Sequence, residues 1–123
     1  METDLTKGGL EDEPVVTELP HIPEDEFVIF GLVYAYPEHA DSLEAVYAET
    51  TRLAEFEPGS IYYCLARDSD DPTLFHFFER YAGKKAFDAH NEQPIIQKLM
   101  EDKYIKAVKA KFCKPIQPAA APS

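Results

Sequence analysis

The alternation of hydrophobic and polar residues predicts a folded region that begins near Glu26 with a strand and a helix. Phe27–Tyr36 is apolar at both odd and even positions, which is typical of a strand covered on both faces. Gly31 interrupts this run and indicates a close backbone approach or a bulge. After Pro37, apolar residues recur at steps of three and four and predict a helix that ends at Pro58–Gly59. Its predicted buried face contains Leu43, Val46, Tyr47, Thr50, Leu53 and Ala54.

The rest of the pattern predicts three more strands and two short helices. The strands are expected at Ser60–Arg67, Thr73–Tyr81 and Ile105–Phe112. The short helices are expected at Lys84–Asn91 and Pro94–Met100. The alternation slips near Ala107–Val108, which indicates a bulge or an early bend in the last strand. The order β-α-β-β-α-β predicts an α+β fold of the ferredoxin-like type, in which helices cover one face of a four-stranded antiparallel sheet.

The first three predicted strands are apolar on both faces, although the helices of such a fold cover only one. An exposed apolar sheet face of this size is a liability in water. A second copy of the same sheet is the simplest cover, and two-fold pairing is the commonest form of assembly. The pattern therefore predicts a homodimer, in which the two sheets close into a dimeric α+β barrel.

Length and composition are those of one small domain with irregular ends. The 123 residues allow a single core. We expect an acidic, flexible N-terminal segment at 1–25, a folded domain at 26–114 and a Pro/Ala-rich C-terminal tail at 115–123. The acidic segment is expected to be a solvated tail, with a lid or a docking arm as alternatives.

Charge and cysteine content exclude several classes of function. The net charge of −11 argues against nucleic acid as a partner, because phosphates require Lys and Arg. The sequence shows neither an apolar run of the roughly 20 residues that a membrane span needs nor a secretory signal, so a cytoplasmic location is expected. Cys64 and Cys113 lack metal-site spacing, no metal site is expected, and Cys64 is expected to be a small buried residue.

Four short motifs, in this order and spacing, resemble the antibiotic biosynthesis monooxygenase family. They are Glu57-Pro58-Gly59, Asp71-Pro72, Phe77-Phe78-Glu79-Arg80-Tyr81 and Ala86-Phe87-Asp88-Ala89-His90. The resemblance covers about Phe27 to Lys114 and implies a small dimeric α+β barrel with a pocket between sheet and helices. For members that oxidise quinols or anthrones, it implies reaction with molecular oxygen and no added cofactor.

The resemblance directs attention to three candidate catalytic residues. His90 is the candidate base, because the ordinary pKa of histidine lies nearest neutral pH. Glu79 is expected to orient it, and Tyr81 to bind a substrate hydroxyl group. The expected substrate-binding walls are aromatic and apolar: Phe30, Leu32, Tyr34, Phe75, Phe77 and Phe87. The prediction is a small cofactor-independent monooxygenase-like enzyme that oxidises an aromatic quinol or anthrone.

Other interpretations of the same residues remain open. Glu79 and His90 could bond each other and only hold helix to sheet, and Tyr81 could be a core aromatic. The protein could then be a non-catalytic small-molecule-binding or pathway-accessory dimer on the same fold. A haem-handling role is disfavoured, because the asparagine, tryptophan and histidine of the family's haem-degrading branch fall near Leu32, Tyr81 and Met100. His76 is expected on the opposite sheet face, at the dimer interface.

Overall fold

The computed structural model describes residues 10, 14–15 and 21–121. The predicted acidic segment at 1–25 therefore lies largely outside the described residues, as do the last two residues of the 115–123 tail. No helix in the described ranges is both long enough and apolar enough to cross a lipid bilayer.

The elements follow the predicted order. The helical segment between β3 and β4 consists of two short helices. The strands are β1 (Phe27–Ala35), β2 (Ser60–Arg67), β3 (Leu74–Tyr81) and β4 (Ile105–Cys113). The helices are α1 (Ala40–Ala54), α2 (Lys84–Asn91) and α3 (Pro94–Asp102). A single 3-10 turn at Pro37–His39 leads into α1.

The strands form one antiparallel sheet in the order β2-β3-β1-β4. This is the ferredoxin-like topology, so the predicted α+β fold is confirmed. The residues of α1 that are buried follow the predicted spacing of three and four, and pack this helix on the sheet. They are Ala40, Leu43, Tyr47, Thr50 and Ala54.

Strand pairing decides which side chains face the helices. Ile29 of β1 lies opposite Glu79 of β3, and Phe27 lies opposite Tyr81. Directly paired residues project from the same face of a sheet, so odd-numbered residues of β1 share the helical face with odd-numbered residues of β3. The hydrophobic core lies on this face, and Leu43 of α1 is fully buried in it.

The same register corrects one expectation about the pocket. Phe30, Leu32 and Tyr34 are paired with Phe78, His76 and Leu74, so they lie on the face away from the helices. They do not form a wall opposite Glu79. Because β1 is apolar on both faces, its alternation cannot show which set of side chains faces inward.

The contacts of β1 with β4 explain Gly31 and locate an irregularity in the pairing of these two strands. A Cβ atom at Gly31 would lie 1.9 Å from the carbonyl oxygen of Lys109, so only glycine fits beside β4. The pairing of β1 with β4 shifts register between Tyr34 and Ala35, opposite Ala107 and Ile105. This shift lies next to Ala107–Val108, where the sequence predicted a bulge or an early bend.

The second face of the sheet, here called the open face, carries exposed aromatic residues. Phe78 is 44% exposed and Tyr62 is 52% exposed. Phe78 also stacks on Phe30, with ring centroids 6.4 Å apart. Cys64 is exposed, so the expectation that it is buried is wrong for the single chain.

Candidate active site

A cavity of about 380 Å³ lies between the sheet and helices α2 and α3. Most of its wall is apolar or aromatic, and Glu79, His90, Asn91 and Gln97 are its few strongly polar residues. An apolar cavity with a few polar groups is the usual form of a small-molecule site. The apolar and aromatic lining consists of Ile29, Val33, Tyr47, Tyr63, Leu65, Phe77, Phe87, Ile96, Leu99, Met100, Ile105, Val108 and Ala110.

The turn between α1 and β2 brings a second carboxylate, that of Glu57, behind His90 at the edge of this cavity. Glu57 begins the Glu-Pro-Gly sequence that ends the α1 region, and its backbone carbonyl accepts a hydrogen bond from the Ser60 amide. At Gly59 a Cβ atom would lie 2.2 Å from the Cβ of Ala86. Glycine therefore allows α2 to approach the turn, which places His90 within reach of Glu57.

His90 and Glu57 form a hydrogen-bonded pair in which His90 is buried and Glu57 is partly buried. Nδ1 of His90 lies 2.7 Å from Oε1 of Glu57, and the His90 side chain is only 4% exposed. The same Glu57 oxygen accepts a bond from the Ser60 hydroxyl at 2.9 Å. A carboxylate next to Nδ1 favours the histidine tautomer in which Nδ1 carries the ring proton. Nε2 then has a free lone pair. His90 thus presents Nε2 as the nitrogen that can accept a proton.

Glu79 and Tyr81 form a second pair on β3. The Tyr81 hydroxyl donates a hydrogen bond to Oε1 of Glu79. Burial raises the pKa of Glu79, opposed by the bond from Tyr81 and by the nearby His90. A carboxyl group with a raised pKa can hold a proton and donate it, so the site contains a potential acid beside a potential base.

Two further tyrosines stand at the cavity wall. The Tyr63 hydroxyl lies 2.8 Å from Oγ1 of Thr50, which ties β2 to α1. The Tyr63 ring also contacts the His90 ring, with centroids 5.1 Å apart. Burial, followed by the charge of Glu79, raises the pKa of both Tyr47 and Tyr63. Both phenols therefore stay protonated near neutral pH.

The structure brings some of the predicted site residues together and separates others. His90, Glu79, Phe77 and Phe87 all line the cavity. Tyr81 is fully buried behind it and reaches the site through Glu79. Phe75 is buried against Tyr47 at a ring distance of 5.6 Å and does not line the cavity. Phe30, Leu32 and Tyr34, as stated above, lie on the open face.

The pairing of the polar residues also differs from the expectation. Glu79 and His90 do not hydrogen-bond each other, because each has another partner. Sequence reasoning missed Glu57, Tyr63 and Tyr47 as site residues. The only signal for Glu57 is its place in the Glu-Pro-Gly motif, which resembles the family but gives no role to the carboxylate. Among the described residues, no group of three or more His, Cys, Asp or Glu side chains could hold a metal ion.

Solved structures share this architecture at low sequence identity. The protein PA3566 of Pseudomonas aeruginosa has a TM-score of 0.68 and 20% identity, with 80% of this chain and 100% of that chain covered. Rv0793 of Mycobacterium tuberculosis has a TM-score of 0.65 and 19% identity, with coverage of 78% and 100%. SO0527 of Shewanella oneidensis has a TM-score of 0.64 and 21% identity, with coverage of 76% and 93%. At such identities the likeness shows the fold alone.

Sequence comparison supplies the family. No curated protein matches the chain in sequence. The family model described as antibiotic biosynthesis monooxygenase matches residues 27–102, which include β1 to α3 and every polar residue of the cavity. Because this match spans more than half of the chain, the protein belongs to the antibiotic biosynthesis monooxygenase family.

Proposed function

We propose that the protein is a cofactor-independent, monooxygenase-like enzyme that oxidises an aromatic quinol or anthrone in the cavity between sheet and helices. The observation that carries this proposal is the His90–Glu57 pair beside an apolar, aromatic cavity. Such a site can bind a flat ring, keep water away and remove a proton. Membership of the family supports the reaction type.

His90 acts as the base in this proposal. With its Nδ1 proton held by Glu57, Nε2 accepts the acidic proton of the bound ring. Glu57 then stabilises the resulting imidazolium through the same bond. The substrate anion that is left is electron-rich enough to pass one electron to molecular oxygen.

The remaining steps balance for an anthrone. Recombination of the two radicals forms a carbon–oxygen bond, and the proton from His90 completes a hydroperoxide. Burial raises the pKa of Glu79 and so favours its protonated form, and in this proposal that proton goes to the leaving oxygen as the O–O bond breaks. The released oxygen leaves as water. The remaining proton on the carbon then passes to the Glu79 carboxylate, and the former CH2 carbon becomes a ketone. The sum is CH2 plus O2 giving C=O plus H2O.

Oxygen uptake by the purified protein, measured on a panel of anthrones and quinols, tests the proposal. We expect uptake that requires the protein and falls at least about a hundredfold in His90→Gln, because a general base contributes about 10²–10⁴ in rate. His21→Gln is the matched control, because His21 is exposed and lies outside the cavity. Equal rates in His90→Gln and the wild type would exclude His90 as the base. Ring binding without uptake would instead favour the non-catalytic binding dimer.

We also propose that the active form is a homodimer that covers the open face. Members of this family are often dimeric and bind small molecules. Phe78, Tyr62 and Ile61 are each more than 40% exposed in the single chain and lie close together on β2 and β3. Burial of such aromatic area is the main driving force of stable association.

A further inference from the structure

The cavity contains carboxylates but no balancing cation. Glu79 lines it directly, and Glu57 lies behind His90. Among the described residues that line the cavity, none is lysine or arginine. On the adjoining helices, Lys84 bonds Asp88, Lys98 bonds Asp102, and Lys85 does not line the cavity.

A protonated His90 does not change this balance. Its positive charge would lie 2.7 Å from a Glu57 oxygen and would be neutralised there. As long as Glu57 is ionised, the charges of Glu57, His90 and Glu79 sum to zero or to a negative value. A buried anion without a paired cation is costly, and the described lining of this cavity offers a negatively charged ligand group no lysine or arginine to pair with.

The proposed chemistry makes the same demand on the ligand. His90 can only act as a base if the ligand still carries its proton when it binds. Transfer of that proton to His90 leaves the total charge of the cavity unchanged, whereas an anion that enters from water adds a negative charge to it. Glu79 faces the cavity as the second polar group and can hydrogen-bond an uncharged hydroxyl or carbonyl oxygen.

We infer that this cavity selects aromatic ligands that carry no negative charge. In its charge argument, this inference rests on the proposed function in taking this cavity as the ligand site, and the demand that the ligand bind with its proton rests on His90 as the base. Phenols, quinols, quinones and anthrones belong to the accepted class. Aromatic carboxylates, sulfonates and phosphates are excluded, and so is haem in its usual form, whose propionates are anionic.

The test compares two ligands of nearly the same shape, 2-naphthamide and 2-naphthoate, by titration calorimetry at pH 7.5 without oxygen. The amide is uncharged and the acid is an anion at this pH. We expect 2-naphthamide to bind at least about tenfold more tightly than 2-naphthoate. The reason is that an unpaired charge in a site of low effective dielectric constant should raise Kd by at least about tenfold. Equal binding, or tighter binding of the anion, would overturn the inference.

Two variants locate the binding site. Ala110→Leu places a larger side chain in the cavity and is expected to abolish 2-naphthamide binding. Ala45→Leu is the control, because Ala45 is exposed on α1 outside the cavity. If circular dichroism shows that Ala110→Leu does not fold, Met100→Trp is used instead. Met100 lines the cavity and lies at its exposed rim. If a folded cavity variant binds the amide as the wild type does, the ligand lies elsewhere and the inference fails.

The binding measurement separates this inference from the enzymatic proposal, because it requires no turnover. Selectivity for the amide without oxygen uptake on any compound would support the inference and contradict the proposed reaction. Oxygen uptake together with equal binding of amide and acid would support the reaction and overturn the inference.

Discussion

The bond between Glu57 and His90 predicts a measurable loss of stability in Glu57→Ala. The substitution removes the acceptor for a side chain that is 4% exposed and leaves Nδ1 of His90 without its partner. Loss of a hydrogen bond to a charged group in such a place costs about 2–3 kcal/mol. Ser60 also loses its acceptor, but it is half-buried and can turn to water.

One feature of Glu57 reduces the expected loss. Its second oxygen, Oε2, is buried and has no hydrogen-bond partner among the described residues. Its removal returns roughly 1 kcal/mol, so the net loss for Glu57→Ala is about 1–2 kcal/mol. For a folded region of this size, that corresponds to a fall in Tm of about 4–16 °C.

The assay is thermal unfolding followed by circular dichroism, since the chain has no tryptophan. All variants are compared at one protein concentration, because dimerisation would make Tm depend on it. Ser60→Ala is the control, because it removes one of the two bonds to Glu57 and leaves the bond from His90. A Tm for Glu57→Ala within about 2 °C of the Ser60→Ala value would refute the reasoning, since the His90 bond would then contribute almost nothing.

Three further outcomes can be checked on the same protein. Gly31→Ala should lower the free energy of unfolding in urea by about 3 kcal/mol or more, because its Cβ meets the Lys109 carbonyl oxygen; a change under about 1 kcal/mol contradicts this. The pKa of Glu79 is raised by burial, so the folded state keeps a proton that the unfolded state releases, and wild-type stability falls as pH rises from the ordinary glutamate pKa to the raised one. Glu79→Gln should remove that decline in urea titrations, and an unchanged slope against pH would exclude the assignment. Phe78→Asp on the open face should convert a sedimenting dimer to monomer at micromolar concentration, and a wild-type monomer would rule out the dimer.

Most of the fold could be predicted from the sequence because each element carries a local signal. The spacing of Leu43, Tyr47 and Thr50 identifies the buried face of α1, and Pro94 begins α3 as expected. Gly31 indicates a close backbone approach, and its cause is the Lys109 carbonyl. These signals depend on side-chain period and backbone conformation, which neighbouring residues determine.

The inward face of β1 could not be predicted in the same way. In a strand that is apolar on both faces, either set of side chains can pack into the core. Which set of β1 side chains faces the helices therefore depends on the register with β3. The pairing of Ile29 with Glu79 decides it, and this pairing joins residues far apart in the chain. An error of one residue in register moves Phe30, Leu32 and Tyr34 from the pocket to the open face.

The partner of His90 illustrates why a site is harder to predict than a fold. Glu79 is the nearer carboxylate in sequence and lies on the expected face, yet the Tyr81 hydroxyl takes its Oε1. Glu57 reaches His90 because Gly59 allows the turn to lie against Ala86. The hydrophobic periodicity of the sequence does not predict this contact. The two carboxylates therefore have different partners, and in the proposed mechanism Glu57 orients His90 as the base while Glu79 acts on the ligand. This division rests on one glycine contact, so Gly59→Val should displace α2 and weaken both stability and oxygen uptake, whereas a variant with unchanged uptake would show that Glu57 is not needed at His90.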